Sequence, residues 1–256
     1  MRILIVDTET TGTDHSKDSV VEVAAMLYDT KHASPIESFA CLIKHTENGA
    51  EKFNGIPAAL LMEQGLEPES VWGRFCDLSA DADCFVAHSA EFDRGFVFKE
   101  VGAISAIVSF EDWAPEKPWV CTMQDLQWPG ARESRSLMSL ALSLGLGVSH
   151  AHRAAVDVET IARCLTRAQE LMRSSWLKAQ IWPDGSGPLP EHGDFLEPMI
   201  RRGMRPKVRV VAKVSYDDRQ LCKDANFSWD GDKRQWWKML PAEDAAALPF
   251  RTVVIT

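Results

Sequence analysis

The sequence lacks the features that are typical of disulfide-rich, zinc-binding and membrane proteins. None of its six cysteines forms a C-x-x-C pair, so neither a disulfide framework nor a zinc site is expected, and a reducing cytoplasm fits this pattern. The longest uncharged stretch, Ser136–Ser149, is only roughly two-thirds of the ~20 residues that a membrane-spanning helix needs. Because Met1–Val6 runs directly into acidic residues, no secretory signal is expected.

An excess of positive charge is also absent. The 256 residues carry a net charge of −9, which argues against a protein that coats long duplex nucleic acid. The charge is uneven, because residues 1–204 hold 18 Lys and Arg against 30 Asp and Glu, whereas residues 205–256 hold 10 against 7. The first part would therefore have to grip any nucleic acid locally, while the tail would supply diffuse attraction.

The spacing of apolar residues predicts an α/β domain. Arg2–Val6 is a continuous apolar run, as in a strand buried on both faces, and two more strands follow before strands alternate with helices. This order predicts a mixed sheet flanked by helices. The predicted strands are Arg2–Val6, Val20–Tyr28, Ile36–Lys44, Cys84–Ala87 and Trp119–Cys121, and the main predicted helices are Pro57–Leu66, Glu69–Leu78, Glu91–Val101, Ser136–Leu144 and Ala154–Met172.

Composition divides the chain into a domain at 1–175, a Pro/Gly-rich linker at 176–206 and a small α+β module at 207–256. The module contains a W-D-x-x-x-R-x-W sequence and looks similar to an uncharacterised module attached to bacterial and phage nucleic-acid enzymes. Its aromatic residues could stack single-stranded bases. A core role is preferred for Trp229 and for one of Trp236 and Trp237, since so small a module has few other core residues.

Two carboxylates follow the first predicted strand, in the D-T-E-T-T-G sequence at residues 7–12. Because strand residues i and i+2 project to the same face, Asp7 and Glu9 should point together. Neighbouring carboxylates repel each other unless one is protonated or a cation lies between them, and oxygen-only ligation suits Mg²⁺ or Mn²⁺. A solvated strand exit is the alternative for this pair taken alone.

Two later motifs carry further ionisable groups. Asp93 lies at the edge of an apolar helical stripe, although it could merely complement the positive end of that helix. In the H-R-A-A-V-D sequence at residues 152–157, positions five apart diverge by about 140° on a helix. His152 must therefore lie in the loop before the helix if it shares a site with Asp157. A surface histidine beside an acid is the alternative.

Together and in this order, the three motifs resemble those of the DEDDh 3′–5′ exonuclease family, which includes the proofreading subunit of bacterial replicative DNA polymerase, a tRNA-trimming ribonuclease and oligoribonucleases. The resemblance covers about residues 1–172 and extends to the sequence Asn54-Gly55-Ile56 and to the helix that starts at Ser136. It implies a ribonuclease H-like fold with a mixed five-stranded sheet flanked by helices.

The resemblance also implies a role for each site residue. His152 would take a proton from the attacking water, and the terminal 3′ nucleotide would lie against Thr10, Gly12 and Phe92. The implied reaction is hydrolysis of phosphodiester bonds at 3′ ends, preferably of single-stranded DNA, with release of nucleoside 5′-monophosphates. Two Mg²⁺ or Mn²⁺ ions would be held by four acids, Asp7, Glu9, Asp93 and Asp157.

The chain departs modestly from the family pattern. Ser89 stands where relatives often have Asn, and Asn54 where some have His; both are predicted to tune substrate contacts. His150 competes with His152 as the base, but its spacing to Asp157 is wrong for the motif. Three more acids are interpreted as surface or strand-edge charges, namely Asp14, Asp18 and Glu22.

Other functions compete with this prediction. The chain could trim RNA ends, or it could be a non-catalytic subunit that docks a polymerase or another DNA-processing protein, or a metal-free regulator acting through its C-terminal module. The presence of all four acids and the histidine favours a catalyst. No convincing clamp-binding peptide is found, and the sequence does not fix the oligomeric state.

Overall fold

The computed structural model describes residues 1–105, 113, 115–129, 136–148, 152–173, 193–225 and 227–255. The chain divides into two compact units, Met1–Gly203 and Met204–Thr256. Most of the predicted linker, 176–206, lies outside the described residues, but its described part includes a helix, Leu196–Gly203, that belongs to the first unit.

The first unit is built on a five-stranded mixed sheet, as predicted. Its strands are β1 (Arg2–Thr10), β2 (Val20–Asp29), β3 (Ser34–Leu42), β4 (Cys84–Ala87) and β5 (Trp119–Cys121). Their order across the sheet is β3-β2-β1-β4-β5, with antiparallel pairing among β1, β2 and β3 and parallel pairing among β1, β4 and β5. β1 is therefore the central strand, with an antiparallel neighbour on one side and a parallel neighbour on the other.

Helices pack against this sheet. The helices of the first unit, within its described residues, are α1 (Glu51–Asn54), α2 (Ala58–Gln64), α3 (Pro68–Ala80), α4 (Ala90–Ser105), α5 (Leu137–Ser143), α6 (Ala154–Arg173) and α7 (Leu196–Gly203). The long α6 packs on β1, β2 and β3, whereas α4 packs on β1, β4 and β5. None of the helices in the described part of the chain is long and apolar enough to cross a membrane.

Helix α7 forms in the stretch that was predicted to be a linker. Asp194 accepts the backbone N–H groups of Leu196 and Glu197 at 3.0 and 2.9 Å, which satisfies two donors that a helix start leaves unpaired. Leu196 and Ile200, four residues apart, are fully buried. Five prolines and four glycines in residues 176–206 obscured this short periodic segment in the sequence.

The centre of the first sheet is closed to water. Residues 3–6 of β1 are fully buried, as their continuous apolar sequence predicts. Next to them, the main apolar cluster includes Trp72, Phe75, Phe85 and Phe96, and burial of each large side chain contributes about 1.5–3 kcal/mol. β1 is therefore firmly held at the point where its acidic residues begin.

The second unit combines an antiparallel sheet with two short helices. The sheet order is β7-β8-β6-β9. Its elements are β6 (Val208–Ala212), α8 (Arg219–Asp224), β7 (Ser228–Asp230), β8 (Gln235–Leu240), α9 (Ala242–Ala245) and β9 (Thr252–Ile255).

The tryptophans of the second unit differ in their burial. Trp236 packs against the apolar cluster that contains Phe227 and Leu240. Trp229 was predicted to lie in the core, but it is 52% exposed, so that prediction is wrong. The reason is its position on the edge strand β7, where the ring contacts Trp236 at a centroid distance of 5.3 Å and has a sheet neighbour on one side only.

Candidate active site

The carboxyl-terminal half of β1 supplies the first two acids. β1 continues past the predicted end at Val6, because it pairs with β2 as far as Thr10. Strand alternation then places Asp7 and Glu9 on one face, while Thr8 and Thr10 are buried on the other. The two carboxylates thus project side by side from a strand whose preceding residues are immobilised in the core.

The third acid, Asp93, lies in the first turn of α4 and is 2% exposed. Its carboxylate accepts the backbone N–H of Thr8 at 3.1 Å and the Thr8 hydroxyl at 2.9 Å. The pairing of β1 with β4 stops at Ile5, so Asp93 takes up a backbone donor that the neighbouring strand no longer uses. These bonds fix Asp93 beside the Asp7–Glu9 corner.

The third motif brings a histidine and the fourth acid to the same place. Asp157 lies in the first turn of α6, and His152 precedes this helix, as its spacing predicted. The backbone N–H of His152 donates to the Asp157 carboxylate. One ligand atom from each of Glu9, His152 and Asp157 lies within 4.8 Å of the others. The other histidine considered as a base, His150, lies outside the described residues.

The backbone at His152 is in the left-handed region, with φ of 64°. This region is unfavourable for a residue with a side chain; such a conformation costs of order 1 to 3 kcal/mol and persists only where its surroundings enforce it. His152 is also exposed. An accessible imidazole on a strained backbone next to two carboxylates is an arrangement found at catalytic sites.

Burial raises the pKa of all four carboxyl groups, and repulsion by others of the four adds to this for Asp7, Glu9 and Asp93. Burial, followed by repulsion from Asp93, Asp157 and Glu9, raises the pKa of Asp7 well above its ordinary value. Burial and the charge of Asp157 raise the pKa of Glu9 to about 7, and burial raises that of Asp93 to about 7 despite its bonds to Thr8. Burial also raises the pKa of Asp157. Acids in this state bind either protons or a cation.

The donor set fits hard divalent ions. Four carboxylates supply only oxygen atoms, which Mg²⁺ and Mn²⁺ prefer, and the charge of Arg153, which lowers the pKa of Glu9, is outweighed there by the burial and the carboxylates that raise it. A cation between these groups would relieve the repulsion that raises their pKa values. The residues that could hold such ions are Asp7, Glu9, Asp93 and Asp157.

A fifth acid, Glu22, is buried next to the four carboxylates. Glu22 was interpreted as a surface or strand-edge charge, but it is only 4% exposed and lies directly opposite Glu9 in the pairing of β1 with β2. Its carboxylate is paired with Arg153 at 2.8 Å. A charged residue inside the apolar run 20–25 was the signal, since a charge buried in such a strand requires a partner elsewhere.

The segment after Glu9, residues 10–12, is held by its own polar contacts. The Thr10 hydroxyl donates to the Gly12 carbonyl at 2.5 Å, and the Asn54 side-chain amide donates to the Thr10 carbonyl at 3.2 Å. A Cβ on Gly12 would collide with the Asp18 carboxylate, which explains the glycine. Asn54 is 4% exposed, so its side chain contacts the protein interior. It supports residues 10–12 from their buried side.

Phe92 lies on the first turn of α4, directly before Asp93. Its ring contacts Phe96 and His15 at centroid distances of 4.9 and 5.7 Å, and it stays partly exposed. The Ser89 carbonyl accepts the N–H groups of Phe92 and Asp93, so this residue starts the helix. An accessible aromatic ring next to a buried acid is a suitable wall for a nucleobase.

Comparisons with known proteins cover both units of the chain. Residues 4–165 match the family model described as Exonuclease, and residues 208–255 match a model of a domain of unknown function. A PolC-type DNA polymerase III of Thermotoga maritima is 27% identical over 172 residues, which are 66% of this chain and 12% of that protein. The chain therefore spans only about an eighth of that relative.

Two further comparisons cover more of the related protein. The DNA polymerase III subunit epsilon of Treponema pallidum is 29% identical over 170 residues, covering 62% of this chain and 73% of that protein. The crystal structure of E. coli Exonuclease I in complex with a dT13 oligonucleotide superposes with a TM-score of 0.58 at 16% identity, covering 93% of this chain and 51% of that one. The latter shows a shared fold.

Proposed function

The chain belongs to the exonuclease family, and on that premise we propose that it removes nucleotides one at a time from the 3′ ends of single-stranded DNA. The proposal includes two Mg²⁺ or Mn²⁺ ions and release of nucleoside 5′-monophosphates. The observation that supports it most is the meeting of four carboxylates and one imidazole, from three distant parts of the chain, at the end of β1. Such a set is costly to fold and suits phosphoryl transfer.

In this proposal the acids serve as the ligands. Asp7 and Glu9 are presented by the rigid end of β1, Asp93 by the first turn of α4 and Asp157 by that of α6. When bound, two divalent ions supply charge neutralisation, activation of the attacking water and stabilisation of the leaving oxygen. The structural elements hold these side chains in place before substrate arrives, so little reorganisation is needed during the reaction.

His152 is proposed as the general base. Its ring reaches the same small volume as Glu9 and Asp157, and it is exposed to the solvent from which the attacking water comes. Imidazole is the side chain whose ordinary pKa lies closest to neutral pH, which suits a group that accepts and then releases a proton. Asp157 accepts the His152 backbone N–H and so restrains this residue.

The substrate's last nucleotide is proposed to lie between the residue 10–12 segment and Phe92. Backbone groups of the segment would contact the sugar and phosphate, while the exposed part of the aromatic ring would pack on the base. The preference for DNA draws its support from the relatives, a DNA polymerase III subunit and an exonuclease bound to a DNA oligonucleotide. A polymerase or another DNA-processing protein is the partner that we propose on the same grounds.

The test is degradation of a 5′-labelled oligonucleotide under a titration of Mg²⁺ or Mn²⁺. Single-stranded DNA, duplex DNA and RNA of matched sequence should be compared, with EDTA as the metal-free control. We expect metal-dependent laddering from the 3′ end, fastest on single-stranded DNA. Faster loss of the RNA would make the chain an exoribonuclease. Binding without cleavage in any metal would instead favour the non-catalytic subunit.

A further inference from the structure

An ion pair between the buried Glu22 and the partly exposed Arg153 lies next to the proposed base along the chain. Glu22 comes from β2 and sits opposite Glu9, yet its carboxylate points to the start of α6. The Arg153 guanidinium grips both carboxylate oxygens, with Nη2 at 2.8 Å from Oε1 and Nε at 3.1 Å from Oε2. The backbone N–H of Ala154 donates to Oε2 at 3.0 Å. One side chain thus binds two successive residues.

These hydrogen bonds use both carboxylate oxygens of Glu22. Oε1 accepts from Arg153, and Oε2 accepts from Arg153 and from Ala154, so both oxygens of Glu22 are engaged, whereas both bonds from Thr8 to Asp93 go to a single oxygen, Oδ1. Charge-assisted, two-point bonds of this type are strong and directional. The geometry therefore separates Glu22 from the metal ligands, although it stands only one strand away from them.

His152 immediately precedes Arg153 and Ala154, the two residues that Glu22 binds. The backbone N–H of His152 itself donates to the Asp157 carboxylate. Between these anchors its backbone has a φ of 64°, a conformation that persists only where the surroundings enforce it. The bonds from Glu22 to residues 153 and 154 therefore restrain the chain next to the strained backbone of His152.

We propose that Glu22 and Arg153 are positioning residues that hold the His152 backbone in its strained conformation and so aim the imidazole into the acid cluster. This inference rests on the proposed function, since it concerns the orientation of the base in that reaction. It assigns Glu22 and Arg153 a role in the catalytic step that is separate from metal binding and from substrate binding.

The test measures kcat and KM at saturating metal for Arg153→Ala, His152→Ala and the double variant. Misplacement of a base by about 1 Å costs up to roughly 100-fold, so we expect Arg153→Ala to lower kcat by about 10- to 100-fold with KM within about twofold. In the His152→Ala background, Arg153→Ala should have no further effect, because there is no base left to position.

A second pair of variants guards against misfolding. Arg153→Ala leaves Glu22 buried without its partner, whereas Glu22→Gln combined with Arg153→Gln leaves no unpaired charge, and Arg153→Lys keeps the charge but loses the two-point grip. The double Gln variant should fold and still lose kcat, and Arg153→Lys should recover only part of it. Arg74→Ala, which removes an exposed pair with Glu37 at 2.9 Å, is the control and should keep full kcat.

A readout without substrate completes the design. Amide hydrogen exchange over residues 152–157 should accelerate in the double Gln variant and stay unchanged in Arg74→Ala. If the wild type is active, an unchanged kcat in Arg153→Ala would overturn the positioning role alone. The same holds if the losses of Arg153→Ala and His152→Ala multiply in the double variant. A wild-type chain without metal-dependent cleavage would instead overturn the proposed function.

Discussion

Charged side chains have different neighbours in the two units of the chain. In the first, four carboxylates crowd the end of β1, and burial together with mutual repulsion raises the pKa of Glu9 to about 7. In the second, two partly buried arginines have carboxylate partners, Arg205 with Asp244 at 2.5 Å and Arg209 with Asp230 at 3.1 Å. Within the described residues, the groups of three potential ligands that lie close enough for one metal ion are confined to the first unit.

This difference separates charges that support folding from charges that serve chemistry. A paired charge near the surface contributes about 0–1 kcal/mol and can be lost cheaply, whereas crowded acids in a buried site destabilise the metal-free fold. Protonation or a bound cation offsets this repulsion. We therefore place the proposed reacting centre in the first unit, and we propose weaker contacts with the substrate strand for the second unit, whose net charge is positive.

The largest expected effect is a loss of kcat when an acid of the first unit is replaced, compared with the same replacement in the second unit. Asp7→Asn removes a central carboxylate from the cluster, so we expect loss of at least roughly 1,000-fold in kcat, with the fold intact by circular dichroism. Asp230→Asn breaks a pair in the second unit and should leave kcat unchanged. Equal activity losses in the two variants would remove the distinction between the units.

His152→Ala should have the next largest effect. Loss of a general base costs about 100- to 10,000-fold in rate, so kcat should fall by this amount while metal binding persists. The control is His32→Ala, which removes an exposed histidine that pairs with Asp29 in the turn after β2. If His152→Ala cleaves at the wild-type rate, another group accepts the proton.

Removal of the second unit should have a smaller effect. A chain that ends before Lys207 should cleave short oligonucleotides within about twofold of the full-length rate, but should bind strands of some 30 nucleotides roughly tenfold more weakly at low salt. The difference in affinity should shrink as salt increases. Loss of cleavage in the truncated chain would make the second unit part of the catalytic unit.

The smallest effect concerns stability without metal. Glu9 and Asp93 both have a pKa of about 7 in the folded chain, against about 4 when unfolded. Their protonation thus stabilises the fold fully below pH 4, and this contribution is lost as the pH rises through 7. The metal-free Tm should fall by about 5 °C between pH 6 and pH 8, and Mg²⁺ should raise Tm more at pH 8.

Glu9→Gln is the matched variant for this measurement. It removes one of the raised carboxyl groups, so the metal-free Tm should fall less steeply than that of the wild type over the same range of pH. A wild-type Tm that rises from pH 6 to pH 8 would show that the acids do not repel one another in the folded chain.

Much of the fold and the site could be predicted from local patterns. The apolar run at residues 2–6 identifies the central strand, and strand periodicity explains why Asp7 and Glu9 share a face. The spacing of His152 and Asp157 is compatible with one site only if the helix begins between them, and α6 does begin at Ala154. These features depend on residues close together in the chain, which is why the sequence reveals them.

Features that depend on distant partners could not be predicted. Glu22 is paired with an arginine 131 positions away, so the sequence around it can indicate its burial but not its partner. Trp229 is exposed because β7 is an edge strand, and edge position follows from the pairing of all four strands. Helix α7 depends on Asp194, whose second oxygen accepts the hydroxyl of Thr30, far away in the sequence.

The most direct test of the central claim is a calorimetric titration of Mn²⁺ into the metal-free chain at pH 8. Four acids converging on divalent ions predict two bound ions per wild-type chain and a loss of most of this binding in Asp7→Asn, while Asp230→Asn binds as the wild type does. A wild-type chain that binds no Mn²⁺, or an Asp7→Asn chain that binds it equally well, would contradict the account.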